Sequence, residues 1–121
     1  MKNVLIVDDA TVVRKFTRDI FIALGFHVTE APNGQQALDL CRKELPDIIM
    51  LDWNMPVMNG LEFLISMRKE KNGDKPIVIF CTTENEIGKI ETALTAGANE
   101  YIMKPFDADI VKSKLIQLKV L

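Results

Sequence analysis

Asp8, Asp9, Asp52, Thr82 and Lys104 are the residues of this chain whose types and spacing point to chemistry, because each stands where a short apolar run stops. Val4-Leu5-Ile6-Val7 stops on Asp8-Asp9, Ile48-Ile49-Met50-Leu51 on Asp52, and Ile77-Val78-Ile79-Phe80-Cys81 on Thr82. A weaker run, Tyr101-Ile102-Met103, stops on Lys104-Pro105. If these runs are parallel strands of one sheet, their C-terminal ends share an edge where three carboxylates, a hydroxyl and an ammonium meet. Carboxylates held close in a low dielectric repel one another unless something compensates. A hard divalent cation does so, and Mg²⁺ takes one or two carboxylates, carbonyls and several waters. With Lys104 opposite, the formal charges sum to about zero only when the metal is bound. A carboxylate in that setting can attack phosphorus and become an acyl phosphate. The cation, Lys104 and the Thr82 hydroxyl would each neutralise an oxygen of the transferred group. Singly these residues have plainer readings: Asp8-Asp9 as the acidic start of a helix, Thr82 and Lys104 as structural or solvated groups. The specific signal is their joint placement at successive strand ends.

The segments between the runs must return the chain to the start of the next strand, and they carry helical periodicity. Val13, Phe16, Ile20 and Leu24 recur at three or four residues and stop at Gly25; Ala37, Leu38, Cys41 and Leu45 stop before Pro46. Leu61, Leu64, Ile65 and Arg68 follow Gly60, and Ile87, Ile90, Ala93 and Leu94 precede Gly97. Ile110, Val111, Lys114, Leu115 and Leu118 form the last stripe, with Asp107 as its N-cap. His27-Val28-Thr29-Glu30-Ala31 supplies a short edge strand between the first two helices. Strand and helix thus alternate five times, which predicts an α/β fold with a parallel sheet covered on both faces. Right-handed crossovers restrict it to doubly wound arrangements, whose ligands bind beyond the strand C-termini.

The 121 residues suit one domain, residues 1–121, with no linker or low-complexity tract. A formal charge of -2 gives no electrostatic case for nucleic acid. No apolar run approaches the roughly 18 residues that span a bilayer, and Met1-Lys2-Asn3 leads into too short a run for a secretory signal. Cys41 and Cys81 lack metal-ligand spacing and read as buried thiols in a reducing cytoplasm. His27, the only histidine, lies far from the acidic edge and reads as solvated or structural. Glu84, Glu86, Lys89 and Glu91 mix both signs and read as a solvated helix face.

Val7-Asp8-Asp9, Asp52-Trp53-Asn54-Met55-Pro56 running on to Asn59-Gly60-Leu61-Glu62, Thr82, and Tyr101 with Lys104-Pro105-Phe106 resemble the motifs of CheY-like receiver domains of bacterial response regulators. The likeness covers essentially the whole chain. It implies a flavodoxin-like sheet of strand order 2-1-3-4-5. It also implies that Asp52 is the phosphoacceptor and a Mg²⁺ ligand with Asp9, that Asp8 acts largely through water, and that Asn54 lends its backbone carbonyl. Thr82 and Lys104 match the residues that contact the phosphoryl group, and Tyr101 matches the aromatic whose rotamer accompanies activation. Lys104-Pro105 matches the family's cis peptide, a bond that X-Pro makes accessible at about 0.5 to 1 kcal/mol. Asn54 and Glu84 fall at positions that tune the lifetime of the acyl phosphate, and imply loss within seconds to minutes.

Two positions depart from the family pattern. Asn59 replaces a common Asp, with little expected consequence in a turn that starts a helix. Thr83 replaces a smaller residue and narrows access to the phosphoryl group. The expected protein is a cytoplasmic, monomeric switch, phosphorylated by a histidine kinase or a small phosphodonor. It would signal through the face of its fourth helix, fifth strand and fifth helix to a flagellar-switch protein. Since the chain ends after the fifth helix, no attached output domain is expected. A phosphorelay intermediate that passes phosphate to a histidine phosphotransfer protein stays open as an alternative. An aspartyl-phosphate phosphatase is disfavoured, since Asn54 stands where such enzymes carry an acid.

Overall fold

The computed structural model describes residues 2–121, the side chains of Glu84 and Asn85 excepted. Its strands are β1 (Asn3–Val7), β2 (His27–Ala31), β3 (Ile48–Asp52), β4 (Ile77–Thr82) and β5 (Glu100–Met103). Its helices are α1 (Thr11–Ala23), α2 (Gly34–Lys43), α3 (Gly60–Arg68), α4 (Ile90–Ala96) and α5 (Ala108–Gln117). All pairings are parallel in the order β2-β1-β3-β4-β5, as the resemblance implied.

Alternation along each strand divides the core into two layers. Leu5, Val7, Ile49, Leu51, Val78 and Phe80 face Leu38 and Cys41 of α2 and Phe63, Leu64 and Met67 of α3. Val4, Ile6, Ile48, Met50, Ile79 and Cys81 face Ile20 and Phe21 of α1 and Val111 and Leu115 of α5. Burial on both sides explains why β1, β3 and β4 read as unbroken apolar runs.

Local chemistry sets the helix ends. Asn33 and Asp107 accept the backbone N–H groups of Gln36 and Ile110, each at 2.9 Å. Asn59 caps α3 in a reciprocal box with Glu62, so the Asn at this position does the work of an N-cap. Gly97 closes α4 at φ 117°, a left-handed conformation suited to glycine.

The fourth helix departs from the periodicity. Glu84–Lys89 form a 3-10 turn, and α-helix begins only at Ile90. A Thr83–Glu86 capping box fixes the start of this turn, and Gly88 lowers helix propensity within it. The reading of residues 84 to 91 as a solvated face fails at Glu86, which is only 5% exposed.

Candidate functional site

Strand register assembles the site. Val7 pairs with Leu51, so Asp8 leaves β1 level with Asp52 at the end of β3. Asp52 pairs with Cys81, and Thr82 with Met103, which brings Thr82 and Lys104 to the same edge. The backbone ladder continues past β5, where the Lys104 N–H donates to the Thr82 carbonyl at 2.6 Å. The Lys104–Pro105 bond is cis, as the resemblance implied.

Gly60 fixes Asp52 from below. A Cβ there would lie 2.2 Å from the Asp52 carbonyl oxygen and 2.9 Å from Phe80 Cε1, so only glycine lets α3 start this close to β3. The Gly60 N–H also donates to the Trp53 carbonyl at 2.9 Å. Trp53 itself is buried against Phe80, with ring centroids 4.7 Å apart and the Lys89 ammonium 5.6 Å from its ring.

The carboxylates of Asp8, Asp9 and Asp52 each offer an oxygen, and these oxygens lie within 4.8 Å of one another. Asp8 and Asp52 are buried and Asp9 is exposed. Lys104 Nζ bridges the two buried members, 2.9 Å from Asp52 Oδ1 and 3.1 Å from Asp8 Oδ2. Asp8 is not the N-cap of α1, a position held by Ala10, although its Oδ1 accepts the Ala10 N–H at 2.9 Å. Arg14 binds the Asp8 carbonyl at 2.7 Å and holds the backbone at this turn.

Burial pushes the Asp52 carboxyl above the usual carboxylate range and Asp8 adds repulsion, against the opposing pull of Lys104. Burial alone would lower the Lys104 ammonium, but its bonds to Asp52 and Asp8 outweigh that and raise it. Three hard oxygen donors with one bridging ammonium leave a negative excess, which suits a divalent cation such as Mg²⁺. Beneath the site, burial raises the Cys81 thiol to about 12, and Cys41 is raised to the same value. Both thiols are free and buried, as their sequence setting predicted.

The remaining expected residues lie around this centre. Thr82 is fully buried, and its hydroxyl donates to the Met103 thioether at 3.7 Å. Tyr101 is half-buried on β5, with the Lys114 ammonium 5.8 Å from its ring. Asn54 follows Asp52 by two residues, and its amide donates to Glu86 Oε2. The Glu84 side chain lies outside the described residues. His27 lies at the N-terminal end of β2, away from this edge. Glu86 was missed by the charge pattern, although the Thr-x-x-Glu spacing of Thr83 and Glu86 was there to mark a capping box.

Fold and edge together define a doubly wound α/β domain of the flavodoxin-like class, with an acidic, lysine-bridged crevice at its strand C-termini. Residues 4–116 match the response regulator receiver domain, and the chain belongs to that family. A chemotaxis protein CheY homolog of Campylobacter jejuni is 41% identical over 115 residues, covering 93% of this chain and 88% of its own length. The solved structure of the chemotaxis response regulator CheY4 of Vibrio cholerae superposes with a TM-score of 0.90 at 31% identity, over 100% of this chain and 99% of that one. The receiver domain of a sensor histidine kinase from Pseudomonas aeruginosa, solved with a magnesium ion coordinated in its active site cleft, has a TM-score of 0.87 at 28% identity. That match covers 96% of this chain and 95% of the other. The chain is CheY-like, and its class is that of phosphorylation-dependent signalling switches of the chemotaxis type. No described helix is long and apolar enough to cross a membrane.

Proposed function

We propose that residues 1–121 work as one receiver domain that accepts a phosphoryl group on Asp52 and thereby changes its affinity for a partner protein. The observation that carries this reading is the Lys104 ammonium held between Asp52 and Asp8 at the C-terminal edge of the sheet. Asp9 and Asp52 would ligate Mg²⁺ directly, Asp8 largely through water, and Asn54 through its backbone carbonyl. The bound ion would supply positive charge to the oxygens of the transferring group.

The Asp52 carboxylate is the nucleophile of this reading. Lys104 holds Oδ1, which leaves Oδ2 to attack phosphorus. The bond to the donor, P–N in a phosphohistidine or P–O in acetyl phosphate, breaks as the new P–O bond forms, and the donor leaves with the electron pair. Lys104 and the Thr82 hydroxyl then take phosphoryl oxygens, which requires that hydroxyl to turn from Met103. Movement of Thr82 and Tyr101 would reshape the face of α4, β5 and α5, where Leu94, Met103 and Ile110 are exposed. Asn54 and Glu84 would set a phosphoryl lifetime of seconds to minutes.

Trp53, the only tryptophan and the neighbour of Asp52, reports both steps. Its fluorescence is expected to change on titration with Mg²⁺ and again with beryllofluoride, and Asp52→Asn is expected to lose the second change. A wild-type protein that responds to neither rules the mechanism out.

A further inference from the structure

Glu86 is a buried carboxylate in the wall of an already acidic edge. Its Oε1 accepts the Thr83 N–H at 3.0 Å and the Thr83 hydroxyl at 3.1 Å. Its Oε2 accepts the Asn54 amide. Among the described residues, no ion pair engages it, so hydrogen bonds alone hold this charge in place. Such an anion is expensive to bury without a cation, which makes its position informative.

The donors that Glu86 occupies belong to residues that follow the two strand ends bearing Asp52 and Thr82. Thr83 follows Thr82 on β4, and Asn54 lies two residues beyond Asp52 on β3. A phosphoryl group on Asp52 brings new acceptor oxygens and further negative charge to the place these donors border. The two anions repel each other and compete for the same N–H groups. Glu86 also caps the 3-10 turn that leads into α4, so its release frees the start of that turn.

We propose that Glu86 is an internal competitor of the phosphoryl group: a positioning residue that holds Asn54 and Thr83 in the unphosphorylated arrangement and ties their release to movement of the turn before α4. The proposal rests on Asp52 being the phosphoacceptor. Glu86 acts by charge as well as by capping, and Gln separates the two roles because it keeps an acceptor for the Thr83 N–H and loses the anion.

The test is beryllofluoride affinity at saturating Mg²⁺, read from Trp53 fluorescence, for wild type, Glu86→Gln and Glu86→Ala. Both variants are expected to bind beryllofluoride about tenfold more tightly, without tighter Mg²⁺ binding in the preceding step. In an Asn54→Ala background the gain is expected to shrink, as coupling through that side chain requires. Glu86→Gln binding like wild type while Glu86→Ala is merely less stable would leave a cap and overturn the competition. Beryllofluoride and Mg²⁺ affinities rising together would point to general loosening and also overturn it. A wild-type protein that binds no beryllofluoride would overturn the phosphoacceptor reading, and this one with it.

Discussion

Lys104→Met separates two roles that the structure gives one ammonium, because its effects on stability and on metal binding have opposite signs. Lys104 Nζ lies 2.9 Å from Asp52 Oδ1 and 3.1 Å from Asp8 Oδ2, in side chains that are 18%, 10% and 7% exposed. Breaking a buried ion pair costs about 3 to 5 kcal/mol, mainly because a charge is left without a partner. Here Lys104 keeps some contact with water, and the stranded carboxylates can take up a proton, so about 2 kcal/mol is the expected loss without metal. For a chain of this size that lowers Tm by roughly 8 °C in chelator.

Metal binding is expected to move the other way. The ammonium and a divalent cation share the same carboxylates and repel each other. At roughly 6 Å and a water-like dielectric the repulsion is about 1.4 kcal/mol, a factor of about ten. Lys104→Met is therefore expected to bind Mg²⁺ about tenfold more tightly, and its Tm deficit to shrink as Mg²⁺ is added. The beryllofluoride response is expected to fall, since no ammonium remains to meet the acyl-phosphate mimic. Calorimetric melts in chelator and in Mg²⁺, with Trp53 titrations, measure all three. A metal-free Tm equal to wild type, or weaker Mg²⁺ binding, would refute the assignment of Lys104 as the charge that holds the empty site together.

Burial raises Asp52, so its contribution to stability is present below the ordinary carboxylate pKa and is lost as pH rises through its raised folded value. Asp52→Asn in chelator should accordingly melt higher than wild type at pH 7, by about 1 kcal/mol, with the gap closing as pH falls toward the ordinary carboxylate range; an equal gap at both ends contradicts the sign. Gly60→Ala places a methyl 2.2 Å from the Asp52 carbonyl oxygen, so the backbone must yield by roughly an ångström. About 2 kcal/mol of destabilisation and at least tenfold weaker Mg²⁺ binding are expected, and a variant that binds Mg²⁺ normally would show that α3 does not set Asp52. Arg68 donates to the Gly97, Gly73 and Pro76 carbonyls and to Asn99 Oδ1. Arg68→Ala is expected to cost about 3 kcal/mol in urea melts while leaving Mg²⁺ affinity within twofold, because its partners are remote from the acidic edge.

The strand ends were legible because each buried strand is a continuous apolar run, and the first residue able to do chemistry breaks it. Parallel pairing then needs only alternation and handedness to bring those breaks to one edge. Asn59, read as tolerable in a turn, turned out to be a cap that its Glu62 partner completes. The failures have a common physical form. Arg68 was counted in the α3 stripe, yet its guanidinium closes two loops through bonds to residues up to 31 positions away, which no local pattern records. Glu86 sits among charges that look solvated, and its burial comes with a partner in the loop after β3. Local period reveals which face is apolar, whereas a buried polar group is set by distant donors.

That division also explains how the edge can change its charge without changing its fold. Asp52 is placed by backbone contacts: Gly60 beneath its carbonyl, the Gly60 N–H on the Trp53 carbonyl, and the cap of α3 just beyond. None of these contacts involves its carboxylate, so protonation, metal or phosphoryl on that group alters electrostatics while the backbone stays anchored. The parts held by side-chain bonds are the Lys104 bridge, the Thr82 hydroxyl on Met103 and the Glu86 bonds to Asn54 and Thr83. The Lys104 bridge ends on Asp8 and Asp52, and one Glu86 bond ends on Asn54; the other ends lie on β4, the turn after it, or Met103 and Lys104. A change of charge at Asp52 therefore acts directly on Lys104 and Asp8, and through Lys104, Thr82 and Glu86 on the half of the sheet edge that leads into α4 and α5.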